Sequence, residues 1–149
     1  MHKFQLTAAL FFLALLSGCA REPEFSVETA PEYNSLFSRE DGWTGADIAL
    51  SLPLNGDKTL WLFGDTWIGK IRGGKHVDAA MVSNTIAIQE GKDPVKARLK
   101  FYYPVKSGKP ASFIAPEEGK GVFWLDHGGI ATKKGLFLVM NRIVNPLGD

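Results

Sequence analysis

The turn Asn55-Gly56-Asp57 constrains this chain more than any other feature, because it lies between two runs of strand-forming residues, Ala46–Leu54 and Lys58–Trp67. Asn-Gly is the strongest short-range hairpin signal, since the favoured two-residue turns need positive φ at their centre. Centring the turn on Gly56 sets Ile48 opposite Gly64, Leu50 opposite Leu62 and Leu52 opposite Leu60, an apolar face throughout. The other face pairs Ala49 with Phe63 and Ser51 with Trp61. A slip of one residue would mix the two faces, so the pattern specifies the register.

That register puts Asp47 opposite Asp65 at the open end. Directly opposed side chains have Cβ atoms roughly 4.5–5.5 Å apart, and like charges there are destabilising. Either one carboxylate turns away to a loop N–H or to a cation from elsewhere, or the two are kept together for acid–base or nucleophilic work on a sugar. In such sites the carboxylates stand roughly 5 to 9.5 Å apart. Trp43, Trp61, Phe63 and Trp67 in the same stretch suit stacking on sugar rings, and equally suit an ordinary sheet core.

The segments Gly42-Trp43-Thr44-Gly45-Ala46-Asp47, Ser51-Leu52-Pro53-Leu54 and Thr59 to Trp67 resemble the start of five-bladed β-propellers of the glycoside-hydrolase type. The nearest group is a set of bacterial domains that includes endo-D-arabinofuranan hydrolases. Met81 to Gln89 also fits, as does Val122-Phe123-Trp124 with Gly128-Gly129, so the resemblance runs from about Asp41 to Ile143. It implies an antiparallel, propeller-like all-β fold, with Asp47 and Asp65 as catalytic carboxylates. It also implies a glycan-facing surface that draws on Trp43, Trp67, Asn84, Trp124, Asp126 and His127.

At the N-terminus, His2 and Lys3 precede the apolar run Leu6 to Leu16, which is too short for a permanent bilayer span, and the run closes on Leu16-Ser17-Gly18-Cys19. These are the three regions of a secretory signal. The ending resembles the bacterial lipobox, which implies acylation of Cys19 and a two-chain anchor in the cell envelope. The same resemblance, with Ala20 rather than Asp after the Cys, favours the outer membrane or cell surface. Cys19 is the only cysteine, so no internal disulfide forms and packing must supply stability. Residues 20–32, with Pro23, Pro31 and several Glu, read as a tether, and residues 33–149 as the β domain.

Lys and Arg number 17 against 16 Asp and Glu, and loss of the signal removes Lys3 and leaves the two equal. There is no basic block, which argues against nucleic acid as a partner. No phosphate loop, dinucleotide fingerprint, serine elbow or Cys-rich metal motif is present, so no cofactor is implied. A Ca²⁺ ion on a carboxylate-rich funnel has too few identifiable ligands to be argued.

Along the rest of the chain, Tyr33–Phe37 reads as a first short strand and Ile68–Lys75, rich in Gly and cations, as a flexible loop beside the Asp65 end. The loop's charges suit an anionic substrate group, and equally suit solvent. Val77–Gln89 reads as one long strand with Asn84 inside it, either bonding backbone at a bulge or lying towards the funnel that the resemblance implies. Leu99–Val105 reads as its return. Gly121–Ala131 and Gly135–Val144 read as a second hairpin about Thr132-Lys133-Lys134. Asp126 and His127, as neighbours on one strand, then point to opposite faces. Between the two, the resemblance favours Asp126 for the site. A lone His127, with His76 far away in sequence, makes a poor zinc site.

Each propeller blade is a four-stranded sheet, so these strands make about two blades of five, and the chain reads as the N-terminal part of a longer protein or a truncated product. Three functions are compatible with this reading. One is a surface-anchored hydrolase of arabinan-like or other polysaccharide, another a non-catalytic glycan-binding lipoprotein, and the third an inactive fragment.

Overall fold

The computed structural model describes residues 25–144. The expected signal segment, Cys19 and the first part of the expected tether lie outside the described residues. The described chain is antiparallel β with one short helix. That helix, α1 (Pro31–Phe37), replaces the strand expected at Tyr33–Phe37. Pro31 pre-sets φ for a first helical turn, Glu32 complements its N-terminal dipole, and the Ser35 hydroxyl bonds the Glu32 carbonyl. A segment this short carries no usable periodicity, so the chemistry of its first turn outweighs its strand-like composition. Phe37 then docks edge-on against Trp61, with ring centroids 4.9 Å apart.

The Asn-Gly hairpin forms in the register expected. Strands β2 (Ala49–Pro53) and β3 (Lys58–Phe63) pair with Leu50 opposite Leu62, Ser51 opposite Trp61 and Leu52 opposite Leu60. Gly56 at the turn has φ of 73°. Beyond Asp47 the same register continues, Ala46 opposite Thr66 and Gly45 opposite Trp67, but in a different sheet formed by β1 (Asp41–Ala46) and β4 (Thr66–Arg72). One long hairpin thus bends in two. Asp47 and Asp65 sit at the bend, where the Asp47 N–H donates to the Asp65 carbonyl and the Gly64 N–H to the Asp47 carbonyl, both at 3.0 Å.

The long strand expected over Val77–Gln89 breaks at the same level, into β5 (Lys75–Val82) and β6 (Thr85–Glu90) around Ser83-Asn84. The expected loop Ile68–Lys75 is instead most of the β4–β5 hairpin, which turns at Gly73-Gly74 with both residues at positive φ. With β7 (Arg98–Tyr102), the larger sheet has the order β2-β3-β6-β7, the four-stranded antiparallel form of a propeller blade. The smaller sheet is β1-β4-β5. A two-residue pair, β8 (Val105–Lys106) and β9 (Lys109–Pro110), follows.

The second expected hairpin also splits. Strand β10 (Val122–Trp124) pairs with β13 (Asn141–Ile143), while β11 (Gly129–Thr132) pairs with β12 (Gly135–Leu138). Leu125 to Gly128 therefore lie between strands, not within one.

Alternation along β3 sends its side chains into two cores. Phe63, with half-buried Trp61 beside it, packs against Trp43, Ile68, Val82 and Ala87 between the two sheets. Leu60 and Leu62 pack on the other side with Leu125, Leu138 and Met140 from the C-terminal segment. A sheet buried on both faces reads as a mostly apolar run, and Leu60-Trp61-Leu62-Phe63 is one. Polar groups at the bend are satisfied in a chain. Trp43 Nε1 donates to Thr85 Oγ1 at 3.1 Å, the two hydroxyls of Thr85 and Thr66 are 3.0 Å apart, and Thr66 Oγ1 donates to the Gly64 carbonyl at 2.7 Å.

A carboxylate cleft at the bend of the hairpin

The bend places Asp47 and Asp65 on one open cleft of about 310 Å³, lined also by Gly45, Ala46, Trp67 and Met81. Gly64 makes this approach feasible, since a Cβ there would stand 2.6 Å from Asp47 Oδ1. Asp47 is exposed and Asp65 half-buried. Burial pushes the Asp65 carboxyl above its ordinary value, and the neighbouring Asp47 charge pushes it the same way. A carboxyl raised in this way is suited to holding the proton that a general acid delivers. Among the described residues neither is in an ion pair with a Lys, Arg or His.

The aromatic residues divide. Trp67 is half-buried on the cleft wall, whereas Trp43 is only 5% exposed and stacks on Phe101 at 4.3 Å with its indole N–H used by Thr85. Trp43 is core, not a glycan contact, because the bend folds its strand over so that Trp43 packs on Phe63 and Phe101 of the larger sheet. Asn84 is corrected likewise. It is 0% exposed, and its amide donates to the Ile114 and Phe123 carbonyls at 2.8 and 2.7 Å while accepting from the Ile114 N–H at 2.8 Å. Its place at the strand break commits it to holding backbone.

Asp126 and His127 do not point apart, because the chain has already left β10. His127 Nδ1 donates to Asp126 Oδ1 at 2.7 Å, and Asn141 Nδ2 donates to Asp126 Oδ2 at 2.9 Å. The His127 bond, aided by that of Asn141, holds the Asp126 carboxyl below its ordinary value against a partial desolvation. Trp124 stands 37% exposed beside them. Asn84 bonds the carbonyl of Phe123, and Gly128 lies against Leu50, so this loop borders the end of the central sheet that carries the bend. None of its residues lines the Asp47/Asp65 cleft itself. Lys70, Arg72 and Lys75 do not line it either.

His76 was not singled out from sequence, yet its imidazole stacks on Trp67 with centroids 4.8 Å apart and planes 19° from parallel. The signal was available in Gly73-Gly74, since a hairpin centred there sets Ile71 opposite His76, as observed. Among the described residues no group of three or more His, Cys, Asp or Glu is arranged to hold a metal, and no helix is long and apolar enough to cross a membrane.

These features define an all-β antiparallel protein with a blade-like sheet and an acidic cleft at its bend. Residues 30–148 match the domain family of unknown function DUF5005, and the chain belongs to that family. No protein of curated function matches it. Its fold is shared with the crystal structure, at 2.80 Å, of a candidate hydrolase from Bacteroides ovatus, with a TM-score of 0.64 and 15% identity. The likeness covers 87% of this chain but 42% of that one, so the chain spans less than half of its structural relative.

Proposed function

We propose that this chain carries the carboxylate pair of a glycoside hydrolase that acts on a polysaccharide, with Asp65 as proton donor and Asp47 as the ionised partner. The observation that carries this reading is the opposed pair on one open cleft, with the Asp65 proton retained above the ordinary range by burial and by the Asp47 charge. Glycosidic cleavage needs one carboxyl protonated towards the leaving oxygen and one ionised, as nucleophile or as base for water. Asp65 and Asp47 fill those two roles without a cofactor. Trp67 lies in the cleft, and Trp124, Asp126 and His127 supply further glycan contacts at the same end of the sheet. The fold shared with a candidate hydrolase supports the general class of reaction. In this reading the protein is held in the bacterial cell envelope by acylated Cys19, and the blade-like sheet is part of a larger propeller.

The test is hydrolysis of arabinan and related polysaccharides by the full-length protein and by Asp47→Asn and Asp65→Asn. Each variant is expected to lose about 10²-fold or more in rate while melting no lower than wild type. Wild-type rates in both would sink the assignment. A non-catalytic glycan-binding role would then come first.

A further inference from the structure

The cleft wall has a construction that the carboxylate pair does not need. Trp67 follows Asp65 by two residues, and both side chains line the cleft. One face of its indole is covered by His76. The His76 ring is itself fixed. Thr44 Oγ1 donates to the Trp67 carbonyl at 3.2 Å and stands 3.2 Å from His76 Nδ1, so indole, imidazole and hydroxyl close a ring of contacts on the backbone of Trp67. Met81, opposite Trp67 on β5 and 53% exposed, adds a polarisable thioether to the same wall. The cleft lining contains two carboxyls and no cation.

We propose that Trp67, braced by His76 and Thr44, is the wall of a subsite for a neutral sugar ring directly beside Asp47 and Asp65. The proposal rests on the glycan reading above and narrows it. The apolar C–H face of a pyranose or furanose stacks on the free part of the indole, and Asp47 accepts a ring hydroxyl. A uronic acid or sulfated sugar is rejected there, because its charge would enter a cleft already holding an ionised carboxylate. His76 is a positioning residue. It holds the indole plane before the sugar arrives, so less ordering remains to be done on binding.

Affinity electrophoresis of the full-length protein tests this in gels cast with neutral polysaccharides (arabinan, xylan, a mixed-linkage glucan) and with uronic ones (polygalacturonate, alginate). Retardation is expected in at least one neutral gel and in neither uronic gel. Trp67→Ala should weaken neutral-glycan binding about tenfold and Trp67→Phe less, in keeping with aromatic contacts of this kind. His76→Ala should raise Kd and KM about threefold with kcat kept, while His76→Tyr, which retains a flat ring on the indole, stays within about twofold of wild type. Retardation in the uronic gels equal to that in the neutral ones overturns the proposal, as does unchanged binding by Trp67→Ala or no retardation in any neutral gel. A fall in His76→Tyr as large as in His76→Ala overturns the bracing role. The underlying hydrolase reading is separated by Asp65→Asn. Lost hydrolysis there together with unchanged Trp67→Ala binding removes the subsite and keeps the carboxylates. Retained hydrolysis with lost Trp67→Ala binding does the reverse.

Discussion

At the scale of single residues, Asp65 and Asn84 are polar groups at the same bend with opposite consequences. Asp65 is held near a like charge, and its folded-state carboxyl titrates above the unfolded value of about 3.9. For an acid whose folded pKa is raised, the protonated form is the one favoured by folding. The wild type therefore loses stability as pH rises through the interval between the two values, and Asp65→Asn does not. The melting temperature of Asp65→Asn should match wild type near pH 3 and exceed it at pH 7. A variant that melts lower at pH 7 would mean the pair is structural. Asn84 has no such conflict, because all of its amide bonds go to half-buried backbone of two distant segments. Asn84→Ala orphans the Ile114 N–H and carbonyl and the Phe123 carbonyl, at a cost on the order of 3 kcal/mol by urea unfolding. A loss below about 1 kcal/mol would show that water replaces the amide there.

At the scale of elements, the bend and its neighbouring bulge rely on two glycines in different ways. The β4–β5 register shifts between Ile68 and Lys70, and a Cβ on Gly69 would stand 2.5 Å from Ala79 Cα, which is backbone and cannot yield. Gly69→Ala should destabilise by about 1–3 kcal/mol, as overpacking does. At Gly64 the obstruction is the Asp47 carboxylate, the movable end of a side chain. Gly64→Ala should therefore shift the melt less than Gly69→Ala while lowering hydrolysis on the order of 10- to 100-fold, since displaced catalytic groups are costly. Paired melting and rate measurements on the two variants check this. A Gly64→Ala protein with wild-type rates would place Asp47 outside the reaction.

At the scale of the whole molecule, one side of the central sheet is finished by the bent-over strands, while the far side of the C-terminal hairpin is open. Ile130, Phe137 and Val139 are each at least 56% exposed there. An apolar face of this kind is covered by something in solution or drives association. The near balance of charge, 17 Lys and Arg against 16 Asp and Glu, offers little colloidal repulsion against that. The chain alone should self-associate with rising concentration in sedimentation velocity, and Phe137→Glu should move it towards monomer. Equal behaviour of the two proteins would acquit this face. Anchoring is a separate matter at the same scale. With Cys19→Ala the proposed lipoprotein should leave the membrane fraction for the soluble one, and unchanged fractionation would remove the anchor.

How much of this was legible in the sequence depended on the range of the interactions involved. The Asn55-Gly56 turn and the alternation about it determined the register from Leu50–Leu62 out to Ala46 opposite Thr66, because turn chemistry and side-chain parity are local properties of a few residues. The all-β class followed from the same local signals. The bend was not legible. Nothing within a strand distinguishes a straight hairpin from one that folds over at Asp47-Ile48, where Ile48 takes φ of 50°. That bend turned Trp43 into core and left Trp67 on the cleft. Asn84 was likewise decided by partners some 30 and 39 residues away, and the Asp126–His127 contact by the early end of β10. Register is written in neighbours along the chain, whereas which face of a strand meets another sheet, and which meets water, is settled only when distant segments compete for the same apolar surface.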